Sequence, residues 1–246
     1  MSELRSQIGE RLKDVQAAIK AAASRGGRDA SDVLLVAVTK THGPEVVSAA
    51  CEAGLRHFGE NRVEEGSTKI DTLGQSLPAG VAWHMIGHIQ SRKAAEVGRY
   101  FDWVHSVDRL KIARILSGAL VANGRAADIL LEVNVSGEET KSGYDLSRWP
   151  SDQAQERTFC EEIEQIMALP NIRLCGLMTV APIAETPEAV RPVFRRVQEL
   201  RGALQRRFTG VEWRHLSMGM SGDFGVAIEE GATIIRLGTA LFGPRT

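Results

Sequence analysis

Eight short apolar or β-rich runs punctuate this 246-residue chain, and the longer stretches between them carry helical periodicity. The runs are LLVAV (34–38), HFGE (57–60), WHMIG (83–87), WVHSV (103–107), ILLEVNV (129–135), CGLMTV (175–180), WRHLSM (213–218) and TIIRLG (233–238). GPEVVSAACEAG and TPEAVRPVFRRVQELRGAL are examples of the periodic segments that separate them. Strands alternating with helices form parallel sheets, because each helix returns the chain to the end where the next strand starts. Eight such units in about 250 residues have the size of a closed barrel. An open doubly wound sheet is the rival, and the count of eight favours the barrel. The expected fold is α/β, a (β/α)8 TIM barrel with no second β domain.

Ahead of the first run, Leu4, Ile8, Leu12, Val15 and Ile19 recur at helical spacing, with Ser2 in place as an N-cap and Gly26-Gly27 as a stop. An extra N-terminal helix within residues 1–28, packed on the barrel, is therefore predicted. Neither a linker nor a shift in composition divides the chain, so residues 1–246 are expected to form a single domain. The stretch 136–158 is polar and long for a loop, which suits an active-face loop or a surface excursion.

Thirty basic and thirty-one acidic side chains leave a formal net charge of -1, so no global field draws the protein to nucleic acid or to an anionic membrane. No apolar run is long enough to span a bilayer, and the N-terminus lacks the apolar core of a secretory signal. Cys51, Cys160 and Cys175 form no C-x-x-C pair, and an odd count fits a reducing compartment. A cytoplasmic location is expected.

Barrel chemistry sits at the C-terminal ends of the strands. The positions at or just after those ends are Lys40, Asn61, His88, Ser106, Asn134, Thr179, Ser217 and Gly238-Thr239, a ring of small and polar groups. Lys40 follows the apolar run LLVAV, where an amine either snorkels to solvent or is placed for chemistry. Ser217, Gly219, Ser221 and Gly222 precede a helix beginning near Asp223, and GTALFG follows the last strand. Barrels bind phosphate in the loops after their last two strands, although an ordinary glycine-rich turn reads the same way. Arg236 alternates with Ile234 and Gly238, a face that can point into the barrel, either as a structural ion pair or as part of a site. Lysine, phosphate loops and arginine together fit pyridoxal 5'-phosphate (PLP), which needs an amine for a Schiff base, a phosphate cradle and a group opposite its ring nitrogen.

Other chemistries find less support. His84 and His88 are four apart but lie on a strand and its turn, without H-E-x-x-H or a Cys/His cluster, so no metal site is expected. GSTKI and GHIQSRK lack phosphate-loop spacing, no G-x-G-x-x-G follows a strand, and GMSGD does not match G-x-S-x-G. Arg195, Arg196, Arg201, Arg206 and Arg207 read as the solvated face of a helix.

AVTKTHG, HFGENRVEE, WHMIGHIQSRK, HSVDR, EVNVSGEETKSGY, GLMTVAP, HLSMGMSGDF and RLGTALFG, in that order, resemble the pyridoxal 5'-phosphate homeostasis protein family from about residue 33 onward. The resemblance implies a barrel like that of alanine racemase, with PLP held as a covalent aldimine at Lys40. It places Arg236 opposite the pyridine nitrogen and Ser221, Gly238 and Thr239 at the phosphate, with Ser217 nearby. Asn61, His84 and Met178 would line the ring pocket. Two departures are visible: Pro44 comes later than the family's usual Lys-Pro pair, and VEEGSTK replaces a glutamine-containing VQE.

The resemblance further implies a role in intracellular PLP (vitamin B6) homeostasis, with no catalytic residue and transient contacts with PLP-dependent apoenzymes. Alanine racemase draws a tyrosine acid/base from a separate C-terminal domain of the partner subunit. This sequence ends at Thr246 and has only Tyr100 and Tyr144. Arginine opposite the ring nitrogen, unlike a carboxylic acid, gives up no proton and weakens the electron sink. The expectation is a non-enzymatic, monomeric PLP-binding protein; the alternative is a small racemase-like PLP enzyme.

Overall fold

The computed structural model describes residues 2–138 and 140–244. Each of the eight runs forms a strand where it was expected, within a residue or two at most ends: β1 (Leu34–Val38), β2 (His57–Glu60), β3 (Ala82–Met85), β4 (Trp103–Val107) and β5 (Ala127–Asn134). After a two-residue strand, β6 (Tyr144–Asp145), come β7 (Ile172–Met178), β8 (His215–Ser217) and β9 (Ile234–Leu237). All pair in parallel, in the order β4-β3-β2-β1-β9-β8-β7-β5, and β4 pairs with β5 to close an eight-stranded barrel. β6 lies outside the ring, against the end of β5, with Val133 opposite Tyr144. It ties down part of the polar 136–158 stretch.

Helices α2 (Pro44–Glu52), α3 (Val63–Leu73), α4 (Ala94–Tyr100), α5 (Leu110–Ala122), α6 (Gln153–Met167), α7 (Arg191–Arg207) and α8 (Phe224–Glu229) connect successive strands, and α9 (Thr239–Phe242) follows the last. Pro44 at the first turn of α2 suits a position whose N–H has no intrahelical partner. The predicted extra helix, α1 (Ser2–Arg25), begins at Ser2 itself and buries Ile8, Leu12, Val15 and Ile19. It packs against α2, α8 and α9, bridging the first and last members of the helical ring.

Strand alternation divides the apolar residues into two cores. Phe58, Met85, Val104, Leu131, Leu216 and Ile235 point outward into the large core beneath the helices. Inside the barrel is a small apolar cluster of Val36, Leu130, Met178 and Ile234. Much of the remaining interior is polar, with His84, His105 and Ser217 showing no exposed surface. A buried polar group is tolerated only with its hydrogen bonds made, so this interior imposes more order than an aliphatic filling. On α7 the arginines are more committed than a solvated face requires. Arg196 donates to the carbonyls of Val135, Ser147 and Trp149, and Arg195 pairs with Glu230.

Candidate cofactor site

A cavity of about 400 Å³ opens at the C-terminal ends of β1, β2, β8 and β9. Lys40, Asn61, Ser221, Arg236, Gly238 and Thr239 line it, together with His42, Ile86, Val180 and Gly222. Six of the nine sequence-derived candidates therefore meet around one space of the size that small ligands occupy.

The other three candidates are displaced inward. His84 is fully buried and hydrogen-bonded to His57 and His105 at 2.9 Å each. Ser217 hydrogen-bonds His105 at 2.9 Å and receives Arg236 Nη1 at 2.6 Å. Met178 packs in the small apolar cluster. None of the three belongs to the cavity lining. All three side chains point inward and are taken up by the barrel interior.

The backbone around Lys40 is clamped. Thr39 Oγ1 donates to Glu60 Oε1 at 2.6 Å, and Lys69 Nζ donates to the Thr39 carbonyl and to Glu60 Oε1, both at 2.7 Å. On the other side of Lys40, Glu65 accepts from the Thr41 N–H and from Lys69 Nζ. Thr41 sits at φ 68°, a left-handed conformation that a threonine keeps only when its surroundings hold it. Glu60 has no exposed surface, and burial raises its pKa above the usual carboxylate range despite Lys69 and Thr39. Sequence reading did not single out Glu60, Glu65 or Lys69. The available signal was the spacing of Glu65 and Lys69, four apart on one helix face.

Across the cavity, Ser221 Oγ accepts from the Ala240 N–H at 3.2 Å, joining the β8–α8 loop to the first turn of α9. The two glycine-containing loops thus form one surface carrying the Ser221 and Thr239 hydroxyls. Arg236 is aimed inward from β9, where Nη1 donates to the Ser217 carbonyl at 2.7 Å and Nη2 to the Thr179 carbonyl at 2.9 Å. Burial pulls its pKa down to about 10, with Glu132 and Asp223 acting in the opposite sense, so it stays cationic at neutral pH. Among the described residues the lining contains Lys40 and Arg236 but no carboxylate, a donor set suited to an anion.

Other members of the polar ring are tied into the barrel. Ser106 donates to Gly87 O at 2.6 Å, Thr179 to Val133 O at 2.9 Å, and His88 lies 3.2 Å from Asp108. Asn134 braces the loop that follows it. Among the described residues no group of His, Cys, Asp and Glu is arranged to hold a metal.

Known proteins resemble this chain in sequence and in fold. The sequence profile of the alanine racemase N-terminal domain matches residues 11–246. The pyridoxal phosphate homeostasis protein of Aquifex aeolicus (strain VF5) is 42% identical over 236 residues, covering 96% of this chain and 97% of its own. That of Escherichia coli (strain K12) is 37% identical over 243 residues, covering 98% and 97%. The chain belongs to the pyridoxal phosphate homeostasis protein family. Among solved structures, PipY of Synechococcus elongatus PCC7942, solved with PLP bound, superposes with a TM-score of 0.80 at 34% identity, covering 96% of this chain and 100% of PipY. Alanine racemase of Clostridium difficile 630 shares the barrel at a TM-score of 0.69 but only 17% identity, and 57% of its length is matched. For the homeostasis protein family this is a likeness of fold.

Proposed function

We propose that this protein binds PLP in the cavity at the barrel's C-terminal rim and holds it for intracellular vitamin B6 homeostasis without turning over a substrate. One observation carries the proposal: Lys40, Arg236 and the Ser221 and Thr239 hydroxyls converge on one cavity. The donor set fits the cofactor's three polar ends. Lys40 would bond its aldehyde carbon, Ser221, Thr239 and the small Gly222 and Gly238 would surround its phosphate, and Arg236 would face its ring nitrogen. Asn61 and His42 line the same space and would flank the ring. When bound, PLP supplies an aldehyde for amines and a ring able to withdraw electrons.

The chain's own groups favour holding over turnover. Arg236 is a cation that keeps its proton, so it neither protonates the ring nitrogen nor deepens its electron sink. Neither tyrosine belongs to the cavity lining. The Tyr100 hydroxyl donates to Asp71 at 3.0 Å, and the Tyr144 hydroxyl to Glu162 at 2.8 Å. Burial drives the Tyr144 pKa well above its ordinary value, with the Glu162 carboxylate adding to the effect, which disfavours acid/base service. No helix among the described residues is long and apolar enough to cross a membrane. A single barrel acting as a cytoplasmic monomer, with passing contacts to PLP-dependent apoenzymes, completes the proposal.

The test is to load the protein with PLP, remove free cofactor and incubate the complex separately with amino acids and with a PLP-dependent apoenzyme. Retained cofactor, reactivated apoenzyme and no steady amino-acid conversion are expected. Turnover near common enzymatic rates, roughly 10 per second, would overturn the non-catalytic part.

A further inference from the structure

We infer that Arg236 fixes the direction of a buried hydrogen-bond chain through Ser217, His105 and His84 to His57, and that this chain in turn holds the guanidinium toward the cavity. Five strands contribute. His57 opens β2, His84 is on β3, His105 on β4, Ser217 on β8 and Arg236 on β9. The successive contacts are His57 Nδ1 to His84 Nε2, His84 Nδ1 to His105 Nε2, and His105 Nδ1 to Ser217 Oγ, each 2.9 Å, then Arg236 Nη1 to Ser217 Oγ at 2.6 Å. The chain crosses the barrel interior from the start of β2 to the cavity lining.

Its direction follows from the chemistry of the ends. A guanidinium has donors and no acceptor, so Ser217 Oγ must accept from Arg236. The serine proton is then directed to His105 Nδ1, which must be the unprotonated nitrogen. If Nδ1 were protonated, arginine and histidine would both donate to Oγ, and a buried hydroxyl proton would lose its acceptor. With Nδ1 bare, His105 carries its proton on Nε2 and donates to His84 Nδ1. By the same logic His84 donates from Nε2 to His57 Nδ1. All three rings are therefore neutral Nε2–H forms with their acceptor nitrogens turned toward Arg236. A further proton on His84 or His105 would set two donors face to face.

The surroundings reinforce neutrality. Burial lowers the pKa of His84 and His105 well below the ordinary value, with neighbouring histidines adding to it for His84 and Arg236 for His105. His57 is lowered by burial, while Asp102 pulls the other way. Trp103 stacks on His84 with ring centres 5.5 Å apart, limiting rotation of the middle imidazole. Ser217, His105 and His84 are thus positioning residues for Arg236. Their effect on the cofactor rests on the function proposed above, whereas the direction of the chain does not.

The experiment reads imidazole nitrogen shifts by NMR in cofactor-free, 15N-histidine-labelled protein at neutral pH. His57, His84 and His105 should each show a bare Nδ1 and a protonated Nε2. Arg236→Met and Ser217→Ala should both release His105 into a mixed or Nδ1–H form, and Ser217→Ala serves if Arg236→Met fails to fold. An Nδ1–H His105 in the parent protein, or an unchanged His105 form in a folded variant, overturns the inference. The positioning role is read separately from PLP dissociation. His105→Asn keeps an acceptor for the Ser217 hydroxyl and should bind within about twofold of the parent, whereas His105→Leu should bind about tenfold more weakly, the order expected for a lost hydrogen bond to a charged group. Equal binding by the two variants removes the positioning role. Lys40→Ala should lose covalent PLP yet keep the parent histidine shifts, so failure of cofactor binding and failure of the chain are distinguishable.

Discussion

Replacing Lys69 by methionine tests how the backbone on either side of Lys40 is held. The Lys69 ammonium is buried and bridges Glu60, Glu65 and the Thr39 carbonyl. Methionine fills similar volume but leaves the wholly buried Glu60 carboxylate with the Thr39 hydroxyl alone, and its Oε2 has no hydrogen-bond partner even in the parent. Removing one partner of a buried ion pair costs about 3–5 kcal/mol. Glu60 can reduce that cost by taking up a proton, because burial already holds its pKa above the unfolded value. A folded pKa above the unfolded one means that the folded state binds the extra proton. The penalty is therefore smallest below the unfolded pKa, near 4.3, and grows by up to about 1.4 kcal/mol per pH unit as pH rises toward the folded pKa. Urea unfolding should show Lys69→Met losing several kcal/mol at pH 8 and distinctly less at pH 5. Adding Glu60→Gln should recover much of the loss, since the amide still accepts from Thr39 without the charge. An equal loss at both pH values, or no recovery in the double variant, would refute the argument.

Acidification should remove the stability that the buried histidines contribute. His84 and His105 have folded pKa values below the unfolded one, so their neutral-state stability is complete above about 6.5 and is lost as pH falls, by up to about 1.4 kcal/mol per histidine per unit. Glu132 acts oppositely, because burial and then the Asp108 charge push its pKa up to about 7, and its contribution fades as pH rises through that value. His57 and His215 are lowered in the same sense, and Glu60, Asp108 and Asp223 are raised with Glu132, so the histidine contribution is read by difference: between pH 7 and 5.5 the parent should lose more stability than His105→Asn, and an equal loss would contradict the neutral chain. Glu132→Gln should stabilise the protein by about 1 kcal/mol at pH 8 and little at pH 5, because only the ionised carboxylate bears the burial cost. Gly87→Ala should cost about 2 kcal/mol and weaken PLP retention, because its Cβ would lie 2.2 Å from the Asn61 carbonyl oxygen. Gly222→Ala, with nothing within 4 Å of its Cβ, should unfold within about 0.5 kcal/mol of the parent.

The barrel was legible because parallel strands covered on both faces read as short apolar runs, and the spacing of LLVAV, HFGE and their successors survives as the strand order. Lys40 and Arg236 were legible for the converse reason: a cation beside or within such a run demands an explanation. The polar interior was not. His57, His84 and His105 occupy strands whose neighbouring residues are apolar, and only barrel closure brings β4 opposite β8, so that His105 reaches Ser217 across more than a hundred residues. Likewise HFGENRVEE shows three acids but not that Lys69 folds back between Glu60 and Glu65 to grip Thr39. The depth of a residue below the rim also depends on strand register, which separates Met178 and His84 from the cavity lining.

Reduction of the PLP-loaded protein with borohydride, followed by peptide mapping, tests the central claim most directly. The account predicts one phosphopyridoxyl adduct on the peptide containing Lys40, and none on that peptide's counterpart from Lys40→Ala. A stable adduct at another lysine, or the same cofactor absorbance in Lys40→Ala as in the parent, would contradict it.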